Sequence, residues 1–126
     1  PTQKERESAV HLKLSVLSSV VKGKRLVLID DSIVRGTTMA SLIRMLKDAG
    51  ATEVHVRISS PPFLFPCYYG TDVPSNDQLI ASSHTAAEIC ASIGADSLGY
   101  MKLEDLKQMT GDLPLCKACF DSHYPV

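Results

Sequence analysis

The sequence lacks an excess of charge of either sign. Thirteen Lys and Arg side chains stand against fourteen Asp and Glu, a formal net charge of −1. The electrostatic footprint of a nucleic-acid or anionic-membrane binder is therefore missing. Also missing are an apolar run long enough to span a bilayer, a signal-peptide pattern and an internal repeat. These absences lead to the expectation of a cytoplasmic protein with no nucleic acid and no membrane among its partners. There are four cysteines, Cys67, Cys90, Cys116 and Cys119, but only one C-x-x-C pair. A complete four-cysteine zinc site is thus not local. What is present is ordinary for a small globular domain: 126 residues, 44% hydrophobic and 21% charged.

The patterning predicts an α/β fold built on a parallel sheet. PTQKERESAV is polar and aperiodic. HLKLSVLSSVV alternates like a short strand and also allows a helix through Val21, before Gly23 breaks it. RLVLI is a continuous apolar run rich in β-formers, as expected of a strand buried on both faces. From Thr38 the period becomes helical, with Met39, Leu42, Ile43 and Leu46 on one face. Thr37 or Thr38 is placed to cap that helix, and Gly50 to end it. TEVHVRIS is a second strand, completing a βαβ unit with a parallel pair. SSPPFLFPCYYGTDVPSNDQ is a loop by composition, and LIAS reads as a short extended segment. Thr85 opens a helix with Glu88 three residues on, a capping box, and Gly94 closes it. SLGYM reads as a last strand, LEDLKQMT as a short helix, and DLPLCKACFDSHYPV as an irregular tail.

Chemistry concentrates in LVLIDDSIVRGTT. Two carboxylates, Asp30 and Asp31, stand at the carboxyl end of a parallel strand, where open α/β sheets bind ligands. Ser32 through Thr38 then lead into a helix N-terminus, which suits a phosphate. Gly36 permits close backbone approach, and Ser32, Thr37 and Thr38 add hydroxyls. The Walker A spacing is absent. Adjacent carboxylates repel, and Mg²⁺ or ligand hydroxyls would relieve that repulsion. A ribose 5-phosphate supplies a phosphate, vicinal hydroxyls and a place for the metal. Arg35, inside the loop, is able to touch an anion, though solvent exposure is the commoner fate of such a residue. His55, Arg57 and His84 read as structural.

VLIDDSIVRGTT resembles the phosphoribosyl pyrophosphate (PRPP) motif of type I phosphoribosyltransferases. With GATEVHVRISSPP, PCYYGTD, QLIASSHT, IGADSLGYM and CKACF, the chain resembles the amidophosphoribosyltransferase family, in order and nearly throughout. The resemblance implies transfer of glutamine-derived ammonia to PRPP, giving 5-phosphoribosylamine and pyrophosphate at the start of purine biosynthesis. By position it implies that Asp30 and Asp31 hold the ribose hydroxyls and Mg²⁺. Ser32, Ile33, Val34, Arg35, Gly36, Thr37 and Thr38 would hold the 5-phosphate. No acid–base catalyst is expected. Cys67, Cys116 and Cys119 would be three ligands of a [4Fe–4S] cluster, the fourth coming from outside this chain, while Cys90 reads as a small buried hydrophobe.

The resemblance further implies a glutaminase domain in the same full-length chain, homo-oligomerisation and purine nucleotides as feedback inhibitors. Within it, residues 1–126 correspond to a C-terminal part of the transferase domain, truncated at its N-terminal side and inactive alone. Residues 1–10 would end a flexible active-site loop, and 112–126 would form the cluster-binding tail. The alternatives are another type I phosphoribosyltransferase or a non-enzymatic PRPP- or nucleotide-sensing module.

Overall fold

A computed structural model describes residues 18–71, 73 and 75–125. The proposed loop over 1–10 and the alternating stretch up to Leu17 lie outside the described residues.

The described elements follow one another as α1 (Ser18–Val21), β1 (Arg25–Asp30), α2 (Thr37–Asp48), β2 (Glu53–Ile58), a 3-10 turn (Asn76–Gln78), α3 (Ile80–Ser83), α4 (Ala86–Ile93), β3 (Ser97–Tyr100), α5 (Leu103–Thr110) and α6 (Ala118–Asp121). The sheet is parallel in the order β1-β2-β3. Arg25 pairs with Glu53 and Asp30 with Ile58. On the other side of β2, His55 pairs with Ser97 and Ile58 with Tyr100. All three strands therefore end at one rim, and Asp30 is on it.

Helices α2 and α4 cover one sheet face. Their Met39, Ile43, Ile89 and Ile93 join Val54, Val56 and Ile58 in the main core, with Leu26 and Leu28 packed beside them. Of the helical face expected for α2, Met39, Ile43 and Leu46 pack at this core. The expectation that β1 is buried on both sides is corrected: Val27 is 65% exposed and Ile29 72%. Among the described residues, the helical layer lies on the Leu26–Leu28 side alone. The opposite side of β2 is polar and satisfied within the sheet. The carboxylate of Glu53 accepts from Arg25 at 2.9 Å and meets His55 Nε2 at 2.7 Å, while His55 Nδ1 lies 2.8 Å from Ser97 Oγ. Those two bonds, His55 first, hold the Glu53 carboxyl below its usual range. Arg57 donates to Ser97 Oγ at 3.0 Å. His55 and Arg57 therefore act structurally here.

Helix α4 starts where its sequence says. Thr85 Oγ1 accepts the Glu88 amide, the Glu88 carboxylate accepts the Thr85 amide at 2.7 Å, and Gly94 closes the helix at φ +76°. LIAS is helical, not extended. Buried Leu79 anchors it, and the amides of Ser82 and His84 close its turn onto Leu79 and Ile80 carbonyls. The tail is not wholly irregular. Helix α6 forms because the amides of Leu64 and Phe65 both donate to the Cys119 carbonyl, while Phe120 packs on Phe63 with ring centroids 5.1 Å apart. This second core holds Phe63, Val73 and Leu79, with Val34, Cys67, Cys119 and Phe120 around them. No described helix is long and apolar enough to cross a membrane.

Candidate functional site

Asp30 is the last residue of β1, and Asp31 follows it on the rim; both are exposed. Asp30 Oδ1 accepts the Asp31 amide at 2.9 Å, and Asp31 Oδ1 accepts the Ser32 hydroxyl at 2.8 Å. Each carboxylate thus spends one oxygen on its neighbour. Among the described residues, the second oxygen of each has no partner. Two hard oxygen donors at an open rim fit Mg²⁺, which takes one or two carboxylates and completes its shell with water or substrate.

The loop from Ser32 to Gly36 is pinned from behind. Ile33 is 3% exposed, its side chain in the main core, so its backbone is what it offers a ligand. Val34 packs into the second core, and its carbonyl accepts the Ile80 amide at 2.8 Å. Arg35 is exposed and donates to the side-chain oxygen of Gln78, beside a cavity of about 440 Å³ that also touches Ser83 and His84. His84 has local partners, Ser83 Oγ at 2.9 Å and the Ile80 carbonyl at 3.3 Å.

The helix cap differs from expectation. Gly36, not Thr37 or Thr38, is the N-cap of α2, at φ +82° and with no side-chain cap. Neither threonine hydroxyl is engaged among the described residues. The amides of Ser32 through Gly36 donate to no backbone carbonyl there either. Free amides, free hydroxyls and a helix N-terminus are the groups that an anion site uses. A side chain at Gly36 would meet Ile93 Cγ2 at 3.3 Å and Ile80 Cδ1 at 3.4 Å, so glycine allows this loop to sit close on α3 and α4. Gln78 and Ile80 support the loop, but nothing in the sequence signals that contact, since they lie more than forty residues away from it.

Two of the cysteines, Cys67 and Cys119, pack at the second core. Cys67 opens a turn whose amides, Tyr69 first and then Thr71 and Gly70, draw its thiol down to about 7. Cys119 is half-buried, and burial, followed by the charges of Cys67 and Cys116, pushes its thiol up. Cys116 is exposed. Among the described residues, no three of His, Cys, Asp or Glu form a ready-made metal group. Three soft thiols suit an iron–sulfur cluster in kind, not in preassembly. Cys90 stands apart in α4, its thiol directed at the Ala95 carbonyl at 3.4 Å.

The phosphoribosyl transferase domain model matches residues 1–59, a stretch that contains the diacid and its loop. Amidophosphoribosyltransferases from Synechocystis and Methanocaldococcus jannaschii are 51% and 53% identical to the chain over 100% and 99% of its length. Along its whole length the chain is similar to a segment of amidophosphoribosyltransferase. It spans 26% of the length of each of those two relatives. The glutamine PRPP amidotransferase of B. subtilis, solved in complex with ADP and GMP, superposes with a TM-score of 0.84 at 50% identity, covering 99% of this chain and 29% of that one. A second structure, of the allosteric regulatory enzyme of purine biosynthesis, superposes equally, covering 28% of its chain. The parallel α/β architecture is therefore the fold of the corresponding segment of the amidotransferase.

Proposed function

We propose that this chain forms the PRPP-binding part of a glutamine-dependent amidophosphoribosyltransferase. The whole enzyme converts PRPP and glutamine-derived ammonia to 5-phosphoribosylamine and pyrophosphate, the first step of purine biosynthesis, in the cytoplasm. The observation that carries this reading is the placement of Asp30 and Asp31 at the strand rim, immediately before a loop of uncommitted amides and hydroxyls.

Asp30 and Asp31 accept hydrogen bonds from the ribose hydroxyls and are the residues that would hold Mg²⁺. The amides from Ser32 to Gly36 and the hydroxyls of Thr37 and Thr38 bind the 5-phosphate. Mg²⁺, when bound, supplies positive charge against the pyrophosphate leaving group. The chain's own contribution is orientation: fixing both ends of the ribose presents the anomeric carbon to ammonia in one pose. No described residue of the site is needed as an acid or base. Cys67, Cys116 and Cys119 are the residues that would hold a [4Fe–4S] cluster, which would join the tail to the transferase core. Glutamine hydrolysis belongs to a separate domain of the full-length enzyme, which is a homo-oligomer. Purine nucleotides are its feedback inhibitors, and the nucleotide complex of the B. subtilis structure supports that part.

The test is Asp30→Asn with Asp31→Asn in the full-length enzyme. Mg²⁺-dependent phosphoribosylamine synthesis should fall by at least about tenfold, the scale of losing charged hydrogen bonds, while glutamine hydrolysis persists. Unchanged synthesis would end the assignment.

A further inference from the structure

We infer that Gln78 is a positioning residue for the phosphate loop, acting through Arg35; this rests on the PRPP reading above. The loop must present five backbone amides in one direction, yet among the described residues those amides make no backbone bonds of their own. Its order has to come from elsewhere. Ile33 is anchored in one core and Val34 in the other. Ile93 of α4 and the Ala40 amide hold Gly36, and three further fixings come from the segment 76–83. The Ile80 amide holds the Val34 carbonyl at 2.8 Å, Ile80 Cδ1 lies against the Gly36 position, and the Gln78 side-chain oxygen accepts from the Arg35 guanidinium.

Gln78 itself is well placed for this task. It ends the 3-10 turn and is half-buried, and the next residue, Leu79, is 1% exposed. Its backbone is therefore fixed from below while its side chain reaches the loop. Arg35 is exposed and long, so without that acceptor its guanidinium samples many rotamers and the peptide units on either side of it are less constrained. The hydrogen bond orders the outer edge of the loop before substrate arrives. Pre-ordering raises affinity because the cost is not met at binding.

The experiment uses the full-length enzyme, with Mg²⁺·PRPP as the titrant in calorimetry and KM measured separately for PRPP and glutamine. Gln78→Ala should raise the Kd and KM for PRPP about three- to fivefold, the size of one partly exposed hydrogen bond. KM for glutamine and Tm should not move. Gln78→Glu should restore wild-type values, since a carboxylate accepts the same bond. In an Arg35→Ala background, Gln78→Ala should add nothing, because the two act as one unit. An unchanged Kd for PRPP in Gln78→Ala overturns the inference. So does a fall in Tm with both KM values rising together, or an undiminished effect in the Arg35→Ala background. PRPP binding that survives Asp30→Asn with Asp31→Asn overturns the underlying reading instead. Loss of binding in that double variant, with normal binding in Gln78→Ala, removes the role of Gln78 alone.

Discussion

Val54 and Asp96 clasp each other through two hydrogen bonds. The Val54 amide donates to the Asp96 carboxylate at 2.7 Å, and the Asp96 amide donates to the Val54 carbonyl at 2.9 Å. The clasp extends the β2–β3 ladder one residue beyond the His55–Ser97 pair. Lys47, near the end of α2, reaches the same carboxylate at 3.3 Å and the Gly94 carbonyl at 2.9 Å. One side chain thus joins two strands and the helix above them.

That carboxylate makes acid stability measurable. The Val54 amide, first among its causes, holds the Asp96 carboxyl below its ordinary value of 3.8, with Lys47 adding to the effect and burial opposing it. A carboxylate depressed in the folded state stabilises fully above its unfolded pKa and loses that contribution as pH falls through the folded one. Asp96→Ala should therefore lower Tm at pH 7 by a few degrees. The difference from wild type should shrink as the pH falls below 3.8. Thermal unfolding across that range checks it, and a pH-independent difference would contradict the linkage.

Two glycines separate backbone strain from site packing. Gly36 and Gly94 both have positive φ, +82° and +76°. An alanine there costs about 1–2 kcal/mol in backbone conformation alone. At Gly94 nothing lies within 4 Å of the added methyl, whereas at Gly36 the methyl meets Ile93 and Ile80. Gly94→Ala should lower stability and leave PRPP affinity alone. Gly36→Ala should lower both, because relieving the contact moves the loop. Chemical denaturation paired with PRPP titration distinguishes them; equal PRPP affinity in the two variants would show that the loop tolerates the shift.

How legible the molecule was depended on the range of each interaction. The capping box of Thr85 and Glu88 spans three residues and was readable directly. The diacid, its loop and the α2 core face were equally local. Hydroxyl residues favour the cap position in general, whereas at α2 the chain turns through the left-handed region at Gly36 and leaves Thr37 and Thr38 free. The run RLVLI records what a strand tolerates, not which face has a layer on it, so the exposure of Val27 and Ile29 was invisible. LIAS is helical for a tertiary reason: Leu79 and the Ile80 amide dock on elements distant in sequence. The support of the loop by Gln78 was hidden for the same reason.

The cysteines offer the sharpest remaining test. Cys67 sits in a turn that favours its thiolate, Cys119 is half-buried beside it in the second core, and Cys116 is exposed. No described group of three ligands is preassembled. The chain on its own should accordingly hold little iron, since a cluster lacking one ligand leaves an iron exposed. The full-length protein should take up iron and sulfide under anaerobic reconstitution and turn brown. Changing Cys67, Cys116 or Cys119 to Ser should abolish that absorbance. Cys90→Ser should leave it intact, because the Cys90 thiol faces the Ala95 carbonyl within α4 and its turn. A cluster should also raise the Tm of the full-length protein, because metal that binds only the folded state stabilises it. Equal loss on changing Cys90 would show that a different trio binds. A full-length protein that holds zinc, or no metal, would remove the cluster without bearing on the PRPP reading, which rests on Asp30, Asp31 and the amides of their loop.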